Sequence, residues 1–218
     1  MEQGMSKRIL VPVANGSEEM ETVIIVDTLV RAGFQVTMAA VGDKLQVQGS
    51  RGVWLTAEQT LEECSAEAFD ALALPGGVAG AQAFADSTPL LALIDAFSQQ
   101  GKLVAAICAT PALVFTKQQK FVGARMTCHP NFFEHIPPER LSRQRVCYYA
   151  TQHLLTSQGP GTALEFALAM IALLAGLEFA LAMIALLAGL ELAQHVAAPM
   201  VLHPQQLTEL SGFIDAQS

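Results

Sequence analysis

The sequence has few cysteines and few basic residues, and both shortages exclude classes of protein. Its four cysteines show neither a CxxC pair nor metal-ligand spacing, so they fit a reduced cytoplasmic protein better than a disulfide framework or a metal site. Lys and Arg together number 12 against 20 Asp and Glu, which gives a net charge of −8, and the basic residues form no cluster. This balance argues against nucleic acid or an anionic membrane as a partner.

Apolar segments long enough for a leader or a membrane span are also missing. Residues 1–6 carry no apolar run, so we expect an N-terminal extension rather than a signal peptide. The most apolar region contains the segment LEFALAMIALLAG twice, at 164–176 and at 177–189. Glu178 interrupts it and leaves two apolar runs of 12 residues, whereas a membrane helix needs roughly 20. We therefore expect no membrane span and interpret 177–189 as a redundant copy of a core helix.

Strand-like and helix-like segments alternate along the chain. This alternation is typical of an α/β sandwich with a mostly parallel sheet. The predicted strands are Arg8 to Val13, Gln35 to Val41, Asp70 to Leu74, Leu103 to Ile107 and Leu154 to Ser157, with short strands near Met126 and Val146 and a hairpin over Leu45 to Leu55. The predicted helices are Ser17 to Ala32 with Ser17 as N-cap, Leu61 to Ala68, Pro89 to Gln100, one after Cys108, and a long apolar helix after Thr162.

Residues 103–113, LVAAICATPAL, predict a sharp turn with a cysteine at its tip. Five apolar residues form a buried strand, Cys108 follows at once, and small residues then start a helix. Backbone N–H groups and the helix dipole at such a turn stabilise a thiolate, which is the nucleophilic form of cysteine. The residues alone leave two interpretations open, a reactive thiol or a buried structural cysteine. Gly76, Gly77 and the loop at 15–16 are expected at the same edge of the sheet, where parallel strands end.

Several motifs, taken together and in order, resemble the ThiJ/PfpI superfamily. They are similar in particular to its branch of bacterial YajL and the human Parkinsonism-associated deglycase. The matching segments are KRILVPVANGSEEMETVIIVDTLVRAGFQVTMA, ALALPGGVAGAQ, VAAICATPAL, MTCHP and LLTSQGPGTALEFALAMI. The resemblance implies a flavodoxin-like three-layer α/β sandwich with a cysteine nucleophile elbow, formed by one domain at 7–202 with a C-terminal tail at 203–218. It also implies a homodimer and no metal or organic cofactor.

The resemblance further implies roles for individual residues. It makes Cys108 the nucleophile, Glu21 a protonated acid that donates a hydrogen bond to the sulfur, and His129 a proton donor or acceptor. Taken alone, Glu21 fits an exposed acid near a helix N-terminus equally well, and His129 fits a surface residue. The other implied site residues are Gly76, Gly77 and Ala109 as backbone donors of an oxyanion hole, and Arg51, Gly159 and Pro160 as lining of the pocket.

Two functional classes remain open. In the first, the protein is a cofactor-independent glyoxalase or deglycase in which Cys108 attacks a reactive carbonyl, such as methylglyoxal or its early adducts on amines. In the second, a low-pKa Cys108 is oxidised to sulfinic acid, and the protein acts as a redox-sensing stress-response protein or chaperone. Ala109 stands where peptidase-like relatives carry a histidine, so peptidase activity is not expected. We expect a cytoplasmic homodimer that pairs through Glu18 to Leu29 and Gly49 to Trp54, with assembly altered by the duplicated helix.

Overall fold

A mostly parallel sheet forms the framework of the protein. The computed structural model describes residues 6–176, in which nine strands and four α-helices occur. The strands are β1 Arg8–Val13, β2 Gln35–Ala40, β3 Gln46–Gln48, β4 Trp54–Thr56, β5 Gln59–Thr60, β6 Ala71–Leu74, β7 Leu103–Ile107, β8 Val146–Tyr149 and β9 Leu154–Ser157. The helices are α1 Glu19–Arg31, α2 Val78–Asp86, α3 Thr88–Gln99 and α4 Ala163–Ala175.

Seven of the strands form the central sheet, in the order β5-β2-β1-β6-β7-β9-β8. All neighbouring pairs in it are parallel except β8 and β9, and β3 and β4 form a separate hairpin. Every residue of β6 and β7 is buried, which is expected of parallel strands covered on both faces. The predicted flavodoxin-like α/β fold is therefore confirmed.

The register of the central strands brings three loops to one edge of the sheet. Leu74 of β6 pairs with Ala106 of β7, and Ile107 pairs with Ser157 of β9. Because these strands are parallel and end almost level, the residues that follow them emerge side by side. Those residues are Pro75 to Gly77, Cys108 and the turn that begins at Gly159.

Two predicted helices differ from the structure, one in its N-cap and one in its continuity. Helix α1 has Glu18 rather than Ser17 as its N-cap, since the Glu18 carboxylate accepts the Glu21 N–H at 2.7 Å. The Ser17 hydroxyl instead accepts the N–H of Ala14 at 3.0 Å. The predicted helix Leu61 to Ala68 is wrong: Leu61–Glu63 and Ala66–Ala68 are separate 3₁₀ turns, with extended residues between them.

Two further segments next to the site also differ from the prediction. Helix α2 was not predicted, because VAGAQAFAD carries two small residues and a glycine in its first turn and looks like a continuation of the loop. Gly80 in this helix is required for packing, because a side chain there would lie 2.7 Å from the backbone of Ser17. The helix expected after Cys108 is a π-helical turn over Pro111–Thr116.

The chain divides into two compact units, Met1–Ala167 and Leu168–Ser218. The sheet and every candidate site residue belong to the first unit, and the described part of the second is the end of α4 with Gly176. The predicted apolar helix after Thr162 is confirmed over Ala163–Ala175. The second repeat copy at 177–189, the tail at 203–218 and most of the extension at 1–6 lie outside the described residues, so these predictions and the 7–202 domain stay predictions. Within 6–176, no helix has the length and apolarity that crossing a membrane would need.

Candidate active site

Cys108 lies at the tip of a strained turn between β7 and the π-helical turn. Its φ of +66° is in the left-handed region, which residues other than glycine adopt rarely. Backbone hydrogen bonds hold it there: its N–H donates to the Ser157 carbonyl at 3.0 Å, and its carbonyl accepts the His129 N–H at 2.8 Å. The residue is buried, with 8% of its surface exposed. The predicted elbow is therefore present, and two neighbouring segments fix the direction of the thiol.

The glycine loop at 75–77 allows an acid and the thiol to approach each other. A side chain at Gly76 would collide with Cys108 and would lie 3.0 Å from its Sγ and 2.8 Å from Glu21 Oε2. Gly77 has a φ of +85°, and a side chain there would collide with the carbonyl of Gly16. Only glycine fits at these two positions, and the Cys108 sulfur and the Glu21 carboxyl pack against the same point of the loop.

Glu21 is a buried acid on the first turn of α1, with 0% of its surface exposed. Its Oε2 accepts the Gly76 N–H at 2.7 Å. Its Oε1 is buried and finds no hydrogen-bond partner among residues 6–176. Burial raises the pKa of Glu21 to about 7, while the Gly76 N–H and the neighbouring Cys108 thiol act in the opposite direction and the Glu18 charge adds to the rise. Its burial excludes the alternative of an exposed helix-capping acid.

Cys108 and Glu21 are adjacent buried groups, so the ionisation of one opposes the ionisation of the other. Burial, followed by the charge of an ionised Glu21, raises the pKa of Cys108 to about 12, although N–H groups of Gly77 and Ala109 favour the thiolate. A low pKa for Cys108 therefore requires that Glu21 keeps its proton. Two charges on adjacent buried groups are disfavoured, so the pair carries a single negative charge near neutral pH.

The three backbone donors expected to form an oxyanion hole have different partners. The Gly77 and Ala109 N–H groups donate to the Cys108 sulfur. The Gly76 N–H is engaged by Glu21 and is not free to bind a substrate oxygen. Of the three expected backbone donors, two therefore face the sulfur and one binds the acid.

His129 and Gly159 complete the group around the thiol. A side chain at Gly159 would lie 3.2 Å from His129 Cδ2, 4.0 Å from Cys108 Sγ and 4.0 Å from Glu21 Oε1. The three predicted catalytic side chains therefore surround the space above Gly159. His129 is half-buried, and its Nδ1 accepts the Asn131 N–H at 3.2 Å, so in the neutral imidazole the proton lies on Nε2.

The structure places the two remaining pocket candidates differently. Pro160 begins the turn Pro160–Thr162 directly after Gly159, and the Thr162 hydroxyl accepts the Gly159 N–H at 3.0 Å. Arg51 is exposed: its N–H donates to Glu19, and its guanidinium donates to the Ser50 carbonyl at 3.2 Å. Among the described contacts, Arg51 thus belongs to the hairpin loop on α1 and is not brought to Cys108.

Sequence reasoning missed two residues that support the site. Glu18 caps α1 and holds the backbone of Glu21, and the only signal for it was an acid before an apolar run. Thr110 is completely buried and donates to the Pro75 carbonyl at 2.6 Å, and no sequence pattern indicates this contact. All four cysteines are free, and no group of three or more His, Cys, Asp or Glu within 6–176 could hold a metal ion.

Known proteins share this fold and these segments. The crystal structure of the VC2308 protein is 89% identical, covers 95% of this chain and 100% of that one, and superposes with a TM-score of 0.80. Protein DJ-1 homolog B of Arabidopsis thaliana is 42% identical over 169 residues, which are 78% of this chain and 38% of the relative. Homolog A of the same plant is matched over 43% of its length, so the chain spans less than half of either relative.

A smaller relative is matched over most of its length. The glutathione-independent glyoxalase DJR-1.2 of Caenorhabditis elegans is 30% identical over 171 residues, which are 78% of this chain and 89% of the relative. The DJ-1/PfpI family model matches residues 7–173, which include the elbow, the glycine loop and Glu21. These matches confirm the resemblance seen in the sequence, and the chain belongs to the DJ-1/PfpI family.

Proposed function

We propose that the protein is a cysteine-dependent, cofactor-independent enzyme that converts small reactive carbonyls such as methylglyoxal, of the glyoxalase or deglycase type. One observation carries this proposal: the buried Glu21 carboxyl packs against the same point of the glycine loop as the Cys108 sulfur, and its Oε1 finds no hydrogen-bond partner among residues 6–176. A buried polar atom with no partner is disfavoured in a purely structural role. It is suited to giving a proton to, and taking one from, a group that enters the site. The glyoxalase relative from C. elegans supports the same chemistry.

In the reactive form we expect the single negative charge to lie on sulfur and the proton on Glu21. A carboxyl group is ordinarily more acidic than a thiol, which favours an ionised Glu21. Two features of the site favour an ionised Cys108 instead. Two N–H groups donate to the sulfur, from Gly77 and Ala109, whereas one donates to the carboxyl, from Gly76. Burial also penalises a compact carboxylate more than a large, diffuse thiolate, because the Born energy falls with ionic radius. The protonated Oε1 then has the thiolate as its hydrogen-bond acceptor.

The reaction with methylglyoxal follows from these positions. The Cys108 thiolate attacks the aldehyde carbon, a C–S bond forms, and the aldehyde oxygen takes the Glu21 proton to give a hemithioacetal. The carboxylate of Glu21 next removes the hydrogen on that carbon as a proton, which leaves an enediolate, and then returns this proton to the neighbouring carbon while the hydroxyl proton moves from the first oxygen to the second. The hemithioacetal thereby becomes a thioester without any external oxidant. Water cleaves the thioester, which releases lactate and restores the thiol.

His129 is placed to assist the later steps. Its Cδ2 lies by the space above Gly159, and its Nδ1 is engaged by Asn131, which leaves Nε2 for the substrate. It can pass a proton between the two adjacent carbonyl oxygens or activate the water. An early adduct of methylglyoxal on an amine enters the same sequence when the thiolate displaces the amine and yields the same hemithioacetal. The free thiols fit a reducing cytoplasm as the place of this reaction.

The oxidation-sensing alternative is favoured by one specific feature. The Gly77 and Ala109 N–H groups point at the sulfur, and they would also hold the oxygens of a sulfinate. Oxidation by peroxide to sulfinic acid would consume the nucleophile and place charge beside Glu21, which would then keep its proton. This second function uses the same residues but predicts no turnover of carbonyls.

Turnover of methylglyoxal by the purified protein distinguishes the two functions. The wild type should consume methylglyoxal and form lactate in equal amounts, measured without added thiol or metal. C108A and E21A should abolish lactate formation, while C64S, which removes a half-exposed thiol next to Gln59, should leave it unchanged. Consumption without lactate, or the same lactate yield with C108A, would contradict the enzymatic proposal. If no carbonyl is consumed but Cys108 alone forms a sulfinate under peroxide, the sensor function would replace it.

A further inference from the structure

One peptide group in the glycine loop connects the elbow to the acid. The carbonyl of Pro75 and the N–H of Gly76 belong to the same peptide unit, which is planar, so the two groups point in opposite directions. The Pro75 carbonyl accepts the Thr110 hydroxyl at 2.6 Å. The Gly76 N–H donates to Glu21 Oε2 at 2.7 Å. The orientation of one bond therefore sets the orientation of the other.

We propose that Thr110 is a positioning residue for the reaction, because its hydroxyl fixes the 75–76 peptide so that the Gly76 N–H holds the Glu21 carboxyl beside Cys108. This inference rests on the proposed function for its consequence in turnover. Its structural part, the dependence of Glu21 on Thr110, stands separately and can be measured without any substrate.

The surroundings of the 75–76 peptide make the Thr110 hydroxyl the contact that sets its orientation. Thr110 lies two residues after Cys108 and is completely buried, so water does not replace its hydroxyl. Gly76 has no side chain to restrict rotation of the peptide before it. If the hydroxyl is lost, the buried Pro75 carbonyl loses its donor and the peptide turns toward another one. The Gly76 N–H then turns away from Glu21, and the acid loses a bond that favours its ionised form.

The loop has other attachments, which hold its position but not the orientation of this peptide. The Gly76 carbonyl accepts the Glu18 N–H at 3.0 Å, and the Gly77 carbonyl accepts the Ala81 N–H at 2.8 Å. Both bonds belong to later peptide units. They should keep the chain folded when the hydroxyl is removed, so that T110V changes the acid more than the fold.

The test compares four proteins through the carboxyl-carbon NMR signal of Glu21, assigned by its absence in E21Q. Because Cys108 would otherwise share the titration, C108A is introduced into all four proteins. Wild type, T110V, T110S and T116V in this background are titrated through neutral pH, with thermal unfolding recorded for each. T116V is the matched control, because the Thr116 hydroxyl donates to the Pro111 carbonyl at 3.4 Å on the same turn and does not touch the loop. The other titratable groups near Glu21, namely Glu18 and His129, are present in all four proteins.

We expect T110V to move the Glu21 midpoint to higher pH by about one unit, the effect of losing one hydrogen bond to a charged group. T110S should restore the wild-type midpoint, and T116V should not change it. If T110V does not fold, T110A must show the same shift, since it removes the same hydroxyl. An unchanged midpoint in a folded T110V or T110A overturns the inference. A shifted midpoint, together with a wild type that carries Cys108 and forms no lactate, keeps the inference and rejects the proposed function.

Discussion

The buried Glu21 carboxyl should make the protein less stable as the pH rises through neutrality. Its pKa rises from 4.5 to about 7 on folding because of burial. Between these values the unfolded chain has lost the proton and the folded chain still binds it, so the free energy of unfolding falls as pH increases. A rise of about 2.5 units at about 1.36 kcal/mol per unit gives a loss of about 3 kcal/mol.

The change that isolates this effect is E21Q, which keeps the size of the side chain and removes its charge. We expect the free energy of unfolding of the wild type, relative to that of E21Q, to fall by about 3 kcal/mol between pH 4.5 and 7.5. Urea titrations at a series of pH values measure it, and the difference between the two proteins cancels most other titrating groups. Two parallel curves would refute the assignment of Glu21 as a buried acid that is protonated below neutrality.

A second acid on the same helix provides a control of opposite sign. Burial raises the pKa of Glu19, but its hydrogen bonds outweigh this effect, and the pKa lies below the usual value. The bonds come from the Ser50 hydroxyl and from the Arg51 and Val53 N–H groups. Glu19 therefore contributes stability that is present above pH 4.5 and is lost as the pH falls. The wild type relative to E19Q should lose stability as the pH falls below 4.5 and should stay level between pH 4.5 and 7.5, where it becomes less stable relative to E21Q.

Four further outcomes are expected. G159A should reduce lactate formation at least about tenfold with little change in thermal stability, because its methyl group would lie 4.0 Å from the Cys108 sulfur, in the space proposed for the substrate. Mild peroxide should modify Cys108 before the other three thiols in peptide mapping, and earlier modification of Cys64 would contradict the nucleophile assignment. M20E should dissociate a dimer in light scattering, because Met20 is 57% exposed on α1, whereas a wild type that is already monomeric would contradict the pairing. Deletion of 177–189 should leave Cys108 reactive and reduce association beyond the dimer; an unfolded product would contradict the redundant copy.

Much of the fold could be predicted because buried parallel strands have a distinctive composition. Leu103 to Ile107 is a short apolar run and Leu154 to Ser157 is a short buried segment that the Gly159 turn follows, so both were predicted with the bounds that the structure shows. Helix α2 could not be predicted, because Gly80 is there to fit against the backbone of another segment. A glycine used for packing looks the same in the sequence as a glycine used for a loop.

In the site, too, features that neighbouring residues encode could be predicted, and contacts between distant residues could not. The elbow around Cys108 is a local pattern of strand, cysteine and small residues, so the sequence was enough to locate it. The burial of Glu21 depends on its contact with Gly76, 55 positions along the chain, and only the family resemblance pointed to it. The contact between Thr110 and Pro75 joins two strand ends through side chain and backbone, and no periodicity in the sequence encodes such a contact.

The charge of Cys108 near neutral pH tests the central claim most directly. The rate of Cys108 alkylation by iodoacetamide, followed by mass spectrometry against pH, reports the fraction of thiolate. If Glu21 holds the proton and the sulfur holds the charge, the midpoint should lie near the first ionisation of the pair, at about 7, and E21A should move it. A single midpoint near 12, the value for a thiol beside an ionised Glu21, would contradict the account.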